Sequence, residues 1–227
     1  QSTSKKLPSA YKPPRACIPY KMNHPNEHSN WPTLIDNLHI VLAGPSHKSE
    51  DLVRYAFFES LRSSGVELGH FSFEHPHSTV PRAKVDTVLV DPMGQPTMAL
   101  EVKYHRANPS GMNLPRPQLA GMFIHDLARL AAFPGDIERL ALYVTDDEMA
   151  SYLTNPDNGL TWIMNLQPGQ TTNLTTQDIA QRSATFQKAV GDWPDQVTIT
   201  CRHTADNIAG HWVRVFNVGS PLKIAAC

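Results

Sequence analysis

Two short apolar segments separated by a tight turn constrain the fold of this chain more than any other feature. Residues 84–91 and 97–105 are rich in Val, Leu and other residues that favour strands. The intervening segment 92–95, Pro-Met-Gly-Gln, has residue types that are typical of a turn. The pattern therefore predicts a β-hairpin, which needs further strands or helices to cover its apolar faces.

Three charged side chains interrupt this apolar hairpin. Asp86 lies in the first predicted strand, and Glu101 and Lys103 lie in the second. Because side chains alternate between faces along a strand, Glu101 and Lys103 project to the same side of the sheet. The hairpin returns Asp86 to the same edge. Charges flanked by Val, Leu and Ala carry a desolvation cost, which favours a functional role over an ordinary surface ion pair.

The rest of the chain alternates predicted helices and strands. A helix at 50–63 precedes the hairpin and another at 116–132 follows it, because apolar residues recur there at helical spacing. The remaining segments are interpreted as strands at 38–43, 66–74, 139–144, 160–166, 197–201 and 212–218, and as helices near residue 146 and at 176–190. This order predicts an α/β fold, a single domain with a mixed central β-sheet flanked by helices over residues 34–227. Residues 1–33, rich in Pro and Lys, are predicted to form an extended N-terminal arm.

Composition argues against several classes of protein. No apolar run approaches the length of a membrane span, so we expect no membrane partner. The formal net charge of −1 does not suggest a protein that coats nucleic acid without specificity. The three cysteines are far apart in the sequence, which is typical of reduced thiols and favours a cytoplasmic location.

The charged hairpin resembles the motif of a known superfamily. Asp86, a gap of 14 residues and then Glu101-Val102-Lys103 are similar to the motif of the PD-(D/E)xK nucleases, which include type II restriction endonucleases and Holliday-junction resolvases. The resemblance covers roughly residues 46–130 and includes the apolar strands, the turn and the helix that follows. Val85 stands where the superfamily commonly has a proline.

The resemblance implies hydrolysis of phosphodiester bonds with Mg²⁺ or Mn²⁺ as cofactor. Asp86 and Glu101 would hold the ion, with help from the Val102 carbonyl, since Mg²⁺ prefers oxygen ligands and often needs only one or two carboxylates. Lys103 would position the attacking water or stabilise the developing charge. The restriction endonuclease-like fold is implied in the same way.

The superfamily often adds an acidic residue from the helix before the hairpin. Glu50 is preferred to Glu59 for this place, because Glu50 opens the helix near the predicted sheet edge. Further polar residues are predicted to bind the substrate, and these are His77, His105, Arg106, Arg116 and Gln118.

The sequence therefore predicts a metal-dependent nuclease, foremost a restriction or defence endonuclease that acts on double-stranded DNA as a homodimer. One alternative is a nuclease toxin domain that attacks DNA, RNA or tRNA. A second alternative is a catalytically inactive module of the same fold that binds nucleic acid or another partner. The choice between DNA and RNA stays open, because base-reading loops such as 107–115 follow no code that links their sequence to a target.

Overall fold

One mixed β-sheet runs through the part of the chain that the computed structural model describes, which is residues 30–45, 47–107, 111 and 113–220. Its seven strands among these residues are β1 (Phe71–Pro76), β2 (Lys84–Val90), β3 (Pro96–His105), β4 (Glu138–Asp146), β5 (Thr171–Thr175), β6 (Gln196–Ile208) and β7 (His211–Val218). Across the sheet they follow the order β1-β2-β3-β4-β7-β6-β5. Only β3 and β4 pair in parallel within this sheet. The predicted α/β domain with a mixed central sheet is confirmed.

Helices cover both faces of this sheet. In the described part of the chain they are α1 (Trp31–Ala43), α2 (Glu50–Ser63), α3 (Arg116–Ala132), α4 (Asp147–Thr154), α5 (Trp162–Asn165), α6 (Thr176–Ala180) and α7 (Ala184–Val190). Leu140 and Leu142 of β4 belong to the core beneath α1 and α2, whereas Ala141 and Tyr143 belong to the core beneath α3 and α7. The central strands are therefore buried on both faces, which explains their nearly continuous apolar sequence.

Helix α1 corrects the prediction for its segment. The predicted arm was to end at residue 33 and a strand was to occupy 38–43, but a single helix spans both. Asn30 caps it by accepting a hydrogen bond from the Thr33 N–H. Leucines at four-residue intervals face the core, and these are Leu34, Leu38 and Leu42. The rest of the predicted arm, residues 1–29, lies outside the described residues.

The C-terminal half contains the other corrections. Residues 160–166 were predicted as a strand but contain the short helix α5, and the predicted helix at 176–190 is divided into α6 and α7. The division has a local cause, because the Ser183 hydroxyl accepts a hydrogen bond from the Phe186 N–H and so begins a new helix. Strand β5 had not been predicted. Among the described residues, no helix combines the length and the apolar character needed to cross a membrane.

The pairing of β2 with β3 ends early, and this opens the sheet where the charged residues lie. The two strands pair from Val90 to Thr87, with a shift of register between Leu89 and Val90, and Thr87 stands opposite Leu100. Strand β3 continues beyond that point and stays paired with β4 as far as His105. From Glu101 onward, the edge of β3 that faces β2 therefore needs other partners for its backbone groups.

Candidate functional site

Two carboxylates occupy the gap between β2 and β3. The Val102 N–H donates to Asp86 Oδ2 at 2.8 Å, and the Tyr104 N–H donates to Glu50 Oε2 at 3.1 Å. These donors lie two residues apart on β3 and point to the same side, as alternate residues of a strand do. Each carboxylate replaces a partner that β2 no longer supplies, so the backbone itself fixes Asp86 and Glu50 beside each other.

The first turn of α2 brings Glu50 to this gap. The Ser49 hydroxyl accepts a hydrogen bond from the Leu52 N–H at 3.4 Å and caps the helix, so Glu50 is its first residue. Glu59 lies about two and a half turns further along the same helix. The structure therefore brings Glu50, and not Glu59, to the charged hairpin.

Glu101 and Lys103 project from β3 toward α3. The Glu101 carboxylate accepts a hydrogen bond from Arg129 at 2.6 Å and is almost fully buried. Lys103 Nζ lies 3.1 Å from Asp126 Oδ2 and 3.5 Å from Glu50 Oε2. The convergence that strand alternation predicted is present, and α3 contributes one side of it.

Three members of this cluster were not predicted as site residues. Arg54 Nη2 donates to Asp86 Oδ1 at 2.8 Å. Asp126 and Arg129 form an i,i+3 pair at 3.1 Å, and the same side chains also contact Lys103 and Glu101. A signal existed for Asp126, because a carboxylate on the apolar stripe of a helix needs a buried partner.

The cluster contains four carboxyl groups and three cationic side chains. Its described members are the carboxylates of Glu50, Asp86, Glu101 and Asp126 and the cations of Arg54, Lys103 and Arg129. Burial and then the Asp126 charge raise the pKa of Glu101 to about 9, although Arg129 opposes the shift. Burial also raises the pKa of Glu50, which Lys103 offsets in part. An added cation would relieve this crowding of carboxylates.

The same surroundings also shift the pKa of Lys103. Burial on its own lowers the pKa of this ammonium, but Asp126 and Glu50 outweigh burial and the net shift is upward. Lys103 is therefore a cation at neutral pH. It lies between two carboxylates that fix the position of its Nζ.

An open cleft of about 450 Å³ gives solvent access to the cluster. Asp86, Glu101 and Lys103 form its floor. Helix α3 supplies a wall of side chains at helical spacing, and these are Met122, His125, Asp126 and Arg129. A substrate group that enters this cleft meets the charged side chains directly.

The cleft contains oxygen ligands that suit a divalent cation. Asp86 and Glu101 offer the oxygen ligands that Mg²⁺ prefers, and Mg²⁺ commonly binds through one or two carboxylates while it keeps several waters. Among the residues described, no three His, Cys, Asp or Glu side chains are grouped as a ready metal site. The two carboxyl groups fit the ion, but Glu101 would have to release its proton, and Arg54 and Arg129 would have to yield to the ion.

His105 is buried beside the charged cluster. The side chain is 4% exposed, and its Nδ1 lies 3.1 Å from the Tyr143 hydroxyl. Burial and then the charge of Lys103 lower the pKa of His105 to about 3. The imidazole is thus buried and neutral in this structure, and its predicted contact with substrate stays a prediction.

His77 is likewise buried, and its predicted contact with substrate stays a prediction. Its Nε2–H donates to the Arg129 carbonyl at 2.9 Å, and its Nδ1 accepts from the Val80 N–H at 3.1 Å. Both ring nitrogens are therefore occupied by the protein. The residue joins the loop before β2 to the last turns of α3.

The other predicted substrate contacts do not line this cleft and stay predictions. Arg106 and Arg116 line a second cleft, of about 420 Å³, between the start of α3 and α4. Arg116 also forms an ion pair with Glu148. Gln118 lies one turn before Met122 on α3, so it continues the helical stripe that forms the cleft wall.

Comparisons with known proteins found no match for this chain among family models, curated proteins or solved structures.

Proposed function

We propose that this chain is a divalent-metal-dependent nuclease that hydrolyses phosphodiester bonds in nucleic acid. The observation that carries the proposal is the convergence of Asp86, Glu101 and Lys103 at one open cleft, with the Glu50 carboxylate 3.5 Å from the Lys103 ammonium. These are the residues that the resemblance to the PD-(D/E)xK nucleases assigns to catalysis. A surface ion pair would not require a nearly buried glutamate, because charged side chains are rarely buried without a partner or a function.

In this proposal Asp86 and Glu101 would hold Mg²⁺ or Mn²⁺, with Glu50 and the Val102 carbonyl as further oxygen donors. When bound, such an ion polarises the scissile phosphate and makes a coordinated water more acidic. Asp86 and Glu50 also bind backbone N–H groups of β3, so their positions do not depend on flexible side-chain packing alone. Rigid placement of this kind favours catalysis.

Lys103 acts as a hydrogen-bond donor in this mechanism. Its pKa is shifted upward, so it stays protonated and does not serve as the base at neutral pH. The ammonium orients the attacking water or stabilises the charge that develops on the phosphate oxygens. Glu50 and Asp126 keep it within reach of the cleft floor.

The proposed substrate is double-stranded DNA, cut by a restriction or defence endonuclease that works as a homodimer. A homodimer supplies one active site for each strand. Arg106 and Arg116 would contact backbone phosphates, as arginines at the edge of such a cleft commonly do.

One observation favours a second candidate, an inactive nucleic-acid-binding or interaction module with the same fold. Asp86 and Glu101 each hold an arginine at hydrogen-bond distance, and no ready group of three metal ligands exists among the described residues. A protein that had lost its metal would keep its carboxylates neutralised in this way.

Incubation of the wild type and of Glu101→Ala with plasmid DNA and total RNA, with Mg²⁺ or with EDTA, separates these candidates. We expect cleavage that requires Mg²⁺ and that Glu101→Ala abolishes. Cleavage of RNA alone would indicate a nuclease toxin domain instead of a restriction or defence endonuclease. Absence of cleavage with every divalent ion would contradict the nuclease and favour the catalytically inactive module.

A second pair of variants tests the acidic residue of α2. Glu50→Gln should slow cleavage strongly, because it removes a charge beside Lys103. Glu59→Gln lies on the same helix and should cleave as the wild type does. Equal effects of the two variants would contradict the role of Glu50.

A further inference from the structure

Arg129 is the cation of the cleft whose surroundings fit a second binding role. Its guanidinium donates to Glu101 Oε1 at 2.6 Å and lies 3.1 Å from Asp126 Oδ1. The side chain is 23% exposed and lines the open cleft. It therefore binds two carboxylates while part of it still faces solvent.

The loop before β2 anchors the backbone of Arg129 and of the residues that follow it. The His77 side chain donates to the Arg129 carbonyl, and the Thr79 hydroxyl donates to the Ala132 carbonyl at 3.0 Å. The loop before β2 thus caps the last turn of α3 and fixes where the arginine side chain starts. A fixed origin suits a residue that has to reach a defined point in the cleft.

Arg129 and a divalent ion would compete for Glu101. Two cations cannot share one carboxylate without strong repulsion, and the ion has the higher charge. Asp126 lies one turn before Arg129 on the same helix and would keep the displaced guanidinium in the cleft. The donors released from Glu101 would then face the space that a substrate phosphate enters.

We propose that Arg129 binds a phosphodiester group of the substrate and that it exchanges Glu101 for a phosphate oxygen when a divalent ion binds. The inference rests on the proposed nuclease function and adds a positioning residue to it. Guanidinium groups match phosphate oxygens in geometry and charge, and Arg129 has several N–H donors for this purpose.

The test uses two binding measurements on the full chain, neither of which depends on turnover. Calorimetric titration with Mn²⁺ alone should show about tenfold tighter binding to Arg129→Gln than to the wild type, because a charged competitor has been removed. Fluorescence anisotropy with a short DNA duplex in Ca²⁺ should show about tenfold weaker binding to the same variant. A merely structural role would not move the two affinities in opposite directions.

Two matched variants sharpen the test. Arg129→Lys keeps the charge but loses the planar donor geometry, so it should bind Mn²⁺ like the wild type and regain part of the affinity for DNA. Arg202 pairs with Glu138 elsewhere on the sheet, and Arg202→Gln should change neither affinity.

The possible outcomes separate this inference from the proposed function. If the wild type binds Mn²⁺ but Arg129→Gln binds it no more tightly, or binds DNA equally well, the exchange is overturned while the nuclease proposal stands. If the wild type binds no divalent ion, the proposed function falls and the exchange falls with it.

Discussion

At the scale of single residues, Glu101 combines burial with a crowded electrostatic setting. Its side chain is 3% exposed and is tied to Arg129, and Asp126 lies nearby. Desolvation is the largest cause of its raised pKa, and the Asp126 charge is the next. Burial therefore makes the charged form of this carboxyl group less favourable in free energy than it would be in water.

This setting predicts a pH dependence of stability. The pKa of Glu101 rises from an ordinary 4.5 to about 9 on folding, so the folded state holds a proton that the unfolded state releases. Its contribution to stability is fully present below pH 4.5 and is lost as the pH rises toward 9. Urea unfolding should therefore show that Glu101→Gln gains stability relative to the wild type between about pH 5 and about pH 8. A constant difference across that range would contradict the assignment.

His77 supports a second prediction for a single residue. Replacement by Ala removes the contacts to the Arg129 carbonyl and to the Val80 N–H and leaves these part-buried groups without them. We expect His77→Ala to lose about 1–3 kcal/mol of unfolding free energy. His39 is an exposed histidine on α1, and His39→Ala should be close to neutral. Similar losses for both variants in urea unfolding would exclude the anchoring role.

At the level of single residues, the sequence predicted only part of the charged cluster. Strand alternation was enough to bring Asp86, Glu101 and Lys103 together. Arg54 and Arg129 were missed because they meet carboxylates 32 and 28 positions away, and such pairs depend on how helices pack. The burial of His77 and His105 was not foreseen, because polarity in a sequence does not reveal burial.

At the scale of elements, the contact between α3 and α7 fixes one wall of the cleft. A Cβ added at Gly121 would lie 2.6 Å from the Phe186 carbonyl oxygen and 2.7 Å from Ala189 Cβ. Ala189 itself lines the cleft. The glycine therefore permits a close approach of the two helices that an alanine would prevent.

Gly121→Ala should push α7 away from α3 and destabilise the fold by about 1–3 kcal/mol. Gly69→Ala is the matched control, because an added Cβ there meets nothing within 4 Å. Urea unfolding of both variants measures the difference. Equal stability of the two variants would contradict the tight packing of α3 on α7.

Elements with a strong local pattern were predicted well. Helix α3 has the predicted bounds, and β2 and β3 differ from prediction by one residue at an end. Residues 160–166 were mistaken for a strand because a short apolar run does not distinguish a strand from a buried turn of helix. The break between α6 and α7 depends on one capping serine, which is a weak signal within a stretch of helix-forming residues.

At the scale of the whole molecule, the site is a consequence of sheet topology. The parallel pair β3 and β4 holds the centre of the sheet, while β2 leaves β3 after the Thr87–Leu100 pair. Helix α2 reaches the resulting gap from one face and α3 covers it from the other. The charged cluster forms only when both helices are packed on the sheet. The sequence of either helix alone therefore does not predict it.

The most direct measurement is the rate of Mg²⁺-dependent plasmid cleavage by the wild type, Glu101→Gln and Glu138→Gln. Glu138 is also a buried glutamate paired with an arginine, but it lies outside the cleft. We predict that Glu101→Gln cleaves at least about a hundredfold more slowly, because a metal ligand contributes several kcal/mol to the transition state. Glu138→Gln should stay close to the wild-type rate. Equal rates for the wild type and Glu101→Gln, or an equal loss in both variants, would contradict the proposed active site.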